Sequence, residues 1–367
     1  MGGYRVLQLA TSLNRGTGVA GFMMNYWRAI DPDQVHFDFA VHLVKPENYI
    51  EEVEKEGSRV YTLPEITMGN LRGTSEAIRA LAEKVADSYD AVHCHMPNMA
   101  FLHFPLWKRF GTERRIVHSH TTESSPYALR RLRNSIVEPL GLRYATDRLA
   151  SSESAGLSAY GNASFQVVPN AVDMSTFKPS TASRKTMRQK YNLGGKNVIG
   201  YVGRLAKGKN VKFLIDVLAC LDSRSSNYAL LLVGSGEEEA TLRSYAEERS
   251  VGDKVLFVGY RPDTEMFYNA MDVFLFPSRA EGLGLVAVEA QACGVPCILS
   301  RGIPAEADVS GTSLFMSVQE GAERWAEAVR SVLLSETKIN RNLVTASPFN
   351  VGVSAPRLAS FYLRGHL

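Results

Sequence analysis

Short apolar runs rich in valine and isoleucine alternate with longer amphipathic stretches along nearly the whole chain. This alternation limits the fold more than any other feature. In the first half the runs fall at 4–10, 35–43, 59–63, 91–95 and 115–120, with helical patterns between them, as at 19–30 and 71–87. The runs are too short for core helices and carry the β-branched residues expected of strands buried on both faces. Strands that alternate with helices build βαβ units, so the fold class is α/β with parallel sheets covered by helices on both sides.

The pattern pauses at 177–192, a polar stretch with Pro, Ser and Thr that reads as a domain boundary. It then restarts with runs at 197–203, 228–234, 254–259, 272–277 and 296–300. With 367 residues the chain exceeds what one hydrophobic core ordinarily supports. Two doubly wound, Rossmann-like domains are expected, 1–178 and 179–349, facing a central cleft at the carboxyl ends of their strands. The segment 350–367 is weakly amphipathic and is expected to pack back on the first domain. No run of 18 apolar residues spans a bilayer, and the first residues lack the apolar core of a secretory signal. The four cysteines have neither disulfide-like nor zinc-like spacing, which points to a reducing, cytoplasmic setting. With 41 Lys and Arg against 38 Asp and Glu, the net charge of +3 gives no sign of a nucleic-acid partner.

Gly16, Gly18 and Gly21 form a literal G-x-G-x-x-G. A dinucleotide fingerprint would start at the strand end, however, and here residues 11–15 intervene, while Asp38 lies inside the second run rather than at its end. A glycine loop that opens a helix still suits a diphosphate or a sugar. Two H-x-H pairs, His93/His95 and His118/His120, each close a run, and residues two apart share one strand face. No carboxylate of suitable spacing joins them, so no metal site is expected. His93 and His118 read as hydrogen-bonded core residues, and His120 as nearest the cleft. Asp31-Pro32-Asp33 mimics a D-x-D metal motif but follows a helix as a turn. In the second half, Gly203, Arg204 and Lys209 link a run to a helix, where a guanidinium and an ammonium suit a diphosphate. The most specific stretch is 278–290. Glu281 and Glu289 there bracket Gly282-Leu283-Gly284-Leu285 at a helix start, carboxylates for sugar or ribose hydroxyls and free backbone amides for phosphate.

With these stretches in place, the sequence resembles the retaining GT-B glycosyltransferases of family 4, in particular the branch of bacterial exopolysaccharide and capsule synthesis. VPNAVD (168–173), VGRLAKGKN (202–210), LLLVGSGEEE (230–239) and PSRAEGLGLVAVEAQACGVP (277–296) carry most of the match. The resemblance implies that Arg204 and Lys209 hold the donor diphosphate, Glu289 the ribose and Glu281 the donor sugar. It places the amides of Gly282, Leu283, Gly284 and Leu285 on sugar and phosphate, His120 near the donor sugar, and Gly18 in the N-terminal glycine loop, with Gly203 in the diphosphate loop. Thr17 and Ala20 depart from the branch, which usually has Gly and Glu there.

The implied reaction is transfer of a sugar from a nucleotide-sugar, UDP-linked by family frequency, to a glycan or lipid-linked acceptor in cell-surface polysaccharide or glycoconjugate synthesis. Configuration is retained, and neither metal nor cofactor is required. Competing readings on the same fold are a sugar-nucleotide epimerase, which lacks this pair of glutamates, and a non-catalytic nucleotide-sugar-binding subunit. From 108 to 148, nine Lys and Arg stand against four Asp and Glu. Tyr127, Leu129, Leu132, Ile136 and Leu140 recur among them at helical spacing. That is either a basic amphipathic face for an anionic membrane, making the protein peripheral to the inner side of the cell membrane, or a core-facing helix with a solvated basic rim.

Overall fold

The computed structural model describes residues 3–121, 128–223, 227–335 and 339–367. The chain divides into two compact units, Met1–Ala171 with Val351–Leu367, and Val172–Asn350. Among the described residues, the first unit contains β1 (Tyr4–Ala10), α1 (Gly18–Ala29), β2 (Val35–Val41), α2 (Ile50–Lys55), β3 (Val60–Thr62), α3 (Leu71–Val85), β4 (Ala91–Cys94), α4 (Ala100–Arg109), β5 (Arg114–Ser119), α5 (Ala128–Leu142), β6 (Asp147–Ala150), α6 (Glu153–Tyr160) and β7 (Gln166–Val167). Its strands form one parallel sheet in the order β3-β2-β1-β4-β5-β6-β7. The strand order reverses between β1 and β4, the point where open α/β sheets leave a crevice at their carboxyl ends.

Alternation along the strands feeds two apolar layers. Val6, Phe39, Ala91 and Ile116 pack on one face, while Leu7, Ala40, Val92 and Val117 pack on the other. Gln8, His93, His95 and His118 keep step with the first set, and all are at most 5% exposed. Polar residues therefore occupy positions where strand periodicity expects apolar ones.

The second unit runs α7 (Thr181–Lys190), β8 (Asn197–Val202), α8 (Lys212–Asp222), β9 (Tyr228–Val233), α9 (Glu239–Glu248), β10 (Val255–Gly259), α10 (Thr264–Ala270), β11 (Val273–Phe276), α11 (Leu285–Ala292), β12 (Cys297–Ser300), β13 (Leu314–Met316), α12 (Ala322–Leu334) and α13 (Arg341–Ala346). Its parallel sheet has the order β10-β9-β8-β11-β12-β13, with the reversal between β8 and β11. The final helix, α14 (Val351–Arg364), belongs to the first unit, where it buries Val351, Ala355, Leu358, Phe361 and Tyr362 on the layer that holds Val6.

The polar stretch 177–192, read from the sequence as a domain boundary, lies beyond the division of the units at Ala171/Val172 and holds a helix, α7. The Ser180 hydroxyl caps it by accepting from the Ser183 amide at 3.1 Å. Arg184 and Arg188 then grip Asp272 and backbone carbonyls at the base of β11. A helix held by guanidinium bonds needs no broad apolar stripe, so hydrophobic periodicity does not reveal it.

Candidate functional site

The loops after β8 and β11, the two strands that flank the reversal in the second unit, carry the residues singled out in the sequence. Gly203 leaves β8 at φ +150°, and a β-carbon there would lie 2.8 Å from the Tyr201 hydroxyl, so the turn requires glycine. The two loops are tied directly, with the Arg279 amide donating to the Gly208 carbonyl at 3.1 Å. The Lys209 ammonium forms an ion pair with Glu281, whose Oε1 also accepts from Ser278 Oγ at 2.6 Å. The Arg204 side chain is 70% exposed and meets Glu237 at 3.0 Å, and the Glu237 carboxyl lies below its ordinary range because of its own backbone amide and then Arg204.

Gly284 stands at the start of α11 with φ +85°, and no side chain caps the helix. The first amides of α11 therefore offer N–H groups and the positive end of the helix dipole. Glu289 lies one turn into α11. It retains some exposed surface, yet burial raises its carboxyl to about 7 against the lowering effect of the Tyr268 hydroxyl, which donates to it at 2.8 Å. Ser278, Glu237 and Tyr268 were not singled out in the sequence. Glu237 has a faint signal as the first of three glutamates after a strand, and Tyr268 has none.

In the first unit, Gly18 opens α1, with open space where its β-carbon would be. Thr17 donates to the Asn14 carbonyl at 3.1 Å and leaves the helix uncapped. Ala20 is fully buried, so a carboxylate is absent from a position that faces the core. Asp31-Pro32-Asp33 is a turn, closed by the Gln34 amide on the Asp31 carbonyl at 3.0 Å.

The four histidines of the H-x-H pairs lie together in two stacked layers. His93 and His118 are almost coplanar, at 3°, and joined at 3.2 Å, and His95 meets His120 at 2.8 Å. Ring centroids stack 4.3 Å apart for His93/His95 and 4.1 Å for His118/His120. Nitrogens of His93, His95 and His118 all lie within 4.8 Å of one another, but bonds to Tyr362, Gln8 and the other rings engage both nitrogens of His93 and of His95 and the Nδ1 of His118. The arrangement is thus a hydrogen-bond network rather than a set of lone pairs converging on an ion. Burial, reinforced by the neighbouring rings, holds His93, His95 and His118 far below the usual histidine range. It lowers His120 to about 4. His95 and His120 border a cavity of about 180 Å³ together with Thr11, Ser119, Thr121 and Glu138.

On α5, Leu132, Ile136 and Leu140 are 63%, 61% and 45% exposed, four residues apart and so on one face. The core-facing alternative does not describe these three residues. Tyr127 and the side chains of Leu129, Arg130 and Arg131 lie outside the described residues. Arg114 and Arg115 are not surface charge: Arg114 binds Asp147 and the Tyr362 carbonyl, and Arg115 binds three backbone carbonyls. Among the described residues, no helix is long and apolar enough to cross a membrane.

Comparison with known proteins finds relatives in sequence and in fold. The family of glycosyl transferases group 1 matches residues 183–347. The glycosyltransferase EpsF of Bacillus subtilis is 30% identical over 338 residues, covering 89% of this chain and 86% of its own. A GDP-mannose-dependent α-(1-6)-phosphatidylinositol monomannoside mannosyltransferase of Mycolicibacterium smegmatis is 34% identical over 215 residues, covering 54% of each chain. Among solved structures, Anabaena HepE in complex with UDP and glucose superposes with a TM-score of 0.77 at 19% identity, covering 98% of this chain and 99% of its own.

Proposed function

The chain belongs to the group 1 glycosyltransferases, and from that membership we propose that it moves a sugar, with retention of configuration, from a UDP-sugar to a hydroxyl of a glycan or lipid-linked acceptor. The carrying observation is that Arg204, Lys209 and Glu281 come from the loops after the two strands that flank the reversal of one sheet, and Glu289 from the helix α11 that the second loop enters. The leaving group is a nucleoside diphosphate, so catalysis requires stabilising charge on phosphate and an oxocarbenium-like carbon. Arg204 offers a bidentate fork, Lys209 a point charge, and α11 its amides, which together supply that stabilisation without a metal. Before substrate arrives, Lys209 and Glu281 satisfy each other. Binding exchanges that carboxylate for phosphate on the ammonium and frees Glu281 to accept sugar hydroxyls, while Glu289 takes the ribose hydroxyls. No protein nucleophile is assigned, and the departing phosphate serves as base for the acceptor hydroxyl.

The UDP reading follows HepE, which was solved with UDP, with UDP-glucose, and with UDP and glucose, and the mycobacterial relative's GDP-mannose is the competing donor. The exposed face of α5 supports work at an anionic membrane surface on the cytoplasmic side, where lipid-linked acceptors reside. A thermal-shift panel of nucleotide sugars identifies the donor, because a bound ligand raises the melting temperature by mass action. Transfer assays with that donor, in the presence of EDTA and with the anomeric configuration of the product read by NMR, test the rest. Undiminished transfer by Glu281→Ala, or binding of a donor that is never cleaved, would overturn the proposal.

A further inference from the structure

Six side chains of the first unit, five of them buried and His120 partly so, form one unbroken chain of hydrogen bonds. His120 Nε2 lies 2.8 Å from His95 Nδ1, and His95 Nε2 lies 2.8 Å from Gln8 Oε1. Gln8 Nε2 lies 3.3 Å from the Tyr362 hydroxyl, which is 2.6 Å from His93 Nδ1. His93 Nε2 is then 3.2 Å from His118 Nδ1.

The Gln8 amide gives this chain a direction. An amide oxygen only accepts, so His95 carries its proton on Nε2, leaves Nδ1 as the acceptor, and must be met by a proton on His120 Nε2. On the other side the amide nitrogen only donates. The Tyr362 hydroxyl accepts from it and gives its single proton to His93 Nδ1, so His93 is protonated at Nε2 and His118 likewise. One glutamine thereby sets the tautomer of four histidines, all with the proton on Nε2. The His120 lone pair on Nδ1 faces the Asn170 side chain, whose buried amide oxygen has no other partner; with that amide turned about, its nitrogen donates to the lone pair and closes the chain.

This arrangement is costly, because apolar residues of similar volume would fill the layer without the desolvation of so many polar groups. A reason lies in the chemistry at the cavity that His120 borders. A centre that becomes oxocarbenium-like is disfavoured by a cation beside it and stabilised by a neutral, fixed ring. We propose that Gln8 is a positioning residue for sugar transfer, which acts through His95 to pin the His120 proton inward and to hold that ring neutral and immobile against the transferred sugar. The inference rests on the glycosyl-transfer reading and on the place near the donor sugar that the family resemblance implies for His120. Tyr362, by contrast, governs only the His93/His118 layer.

Two-bond ¹H–¹⁵N spectra of the full chain labelled at histidine test this without any substrate. His93, His95, His118 and His120 are expected as pure Nε2–H tautomers. His42, whose Nδ1 donates to the Pro64 carbonyl at 2.8 Å, is the Nδ1–H control. Gln8→Leu is expected to release the tautomers of all four histidines and to lower kcat about tenfold or more, with the donor KM within about twofold of wild type. Tyr362→Phe is expected to release His93 and His118 alone and to keep kcat within about twofold. Mixed or Nδ1–H signals at His120 in the wild type overturn the inference, and that reading stands even where Gln8→Leu does not fold. Wild-type kcat in Gln8→Leu overturns it too, as does an equal loss of kcat in both variants, which would mean a shared packing role. Absence of transfer by the wild type with every sugar nucleotide would instead defeat the glycosyl-transfer reading, a result separable from the spectra.

Discussion

Arg204 and Lys209 bear the same charge but are held differently. The Arg204 pair with Glu237 is open to water, with side chains 70% and 55% exposed, and surface pairs of that kind contribute little to folding. Lys209 is 30% exposed and sits on a carboxylate that is 13% exposed. Arg204→Ala and Lys209→Ala are each expected to lower kcat by about 10²–10³-fold, the loss typical of removing one donor to developing negative charge. Glu237→Ala should leave kcat within about twofold, because it removes only a screened surface partner. Steady-state kinetics of the three variants decide this. Glu289 adds a pH dependence. Its carboxyl, raised to about 7 by burial, accepts ribose hydroxyls best when ionised. The donor KM is therefore expected to rise as pH falls through 7, and Glu289→Gln should give a flat profile with a raised KM. Arg204, Lys209, Glu281 and Glu289 are legible in the sequence because each pair falls within one short motif. Gln8 and Tyr362 are 354 positions apart, and Tyr268 meets Glu289 across 21. No spacing rule reaches such pairs, since only the folded sheet and its covering helices bring them together.

The elements differ in how much of their cause is local. The longer strands and the helices α1, α3 and α8 follow from apolar periodicity, whereas β6, β7 and β13, of four, two and three residues, are too short to show a period and are held by their neighbours in the sheet. Helix α7 is held by Asp272, which accepts from Arg184, from Arg188 at 3.0 Å and from the Val198 amide at 2.7 Å. Asp272→Ala would leave two guanidinium groups and an amide without their acceptor in a mostly buried place. A loss on the order of 3 kcal/mol is expected in urea unfolding of the full chain. On α5 the exposed Leu132, Ile136 and Leu140 give the opposite case, an apolar face that costs stability in water unless something covers it. Flotation with vesicles rich in anionic lipid should carry the wild type upward. Leu132→Ser/Ile136→Ser should stay at the bottom, since about 25 cal/mol per Å² of apolar contact is withdrawn. Equal flotation of both proteins would exclude this face as the membrane contact.

At the scale of the molecule, both sheets reverse their strand order once, and the chemistry-bearing loops follow from that topology. The histidines, however, are distributed unevenly. All eight (His36, His42, His93, His95, His103, His118, His120 and His366) fall in the first unit, and residues 172–350 have none. An unfolded histidine takes its proton near pH 6.5. In the folded first unit, burial holds His120 to about 4 and His103 to about 3, and His93, His95 and His118 stay well below 6.5. Between these limits the unfolded unit binds more protons than the folded one. Its stability is therefore whole above pH 6.5 and falls with pH, by about 1.4 kcal/mol per pH unit for each histidine held neutral. The second unit has the opposite sign. Glu289, raised to about 7, keeps a proton that the unfolded carboxyl, at 4.5, has released, so its contribution grows as pH falls from 7 toward 4.5. Asp173 and Asp263, lowered from 3.8, act only below that range. The two units should separate near pH 5. Trp325, whose indole donates to the Ser317 carbonyl at 3.0 Å, reports on the second unit in Trp27→Phe/Trp107→Phe. Trp107, fully buried, reports on the first in Trp27→Phe/Trp325→Phe. Between pH 7.5 and pH 5 the urea midpoint of Trp107 fluorescence is expected to drop and that of Trp325 to rise. Midpoints that shift together by the same amount would mean that the buried histidine layers do not control the acid stability of the first unit.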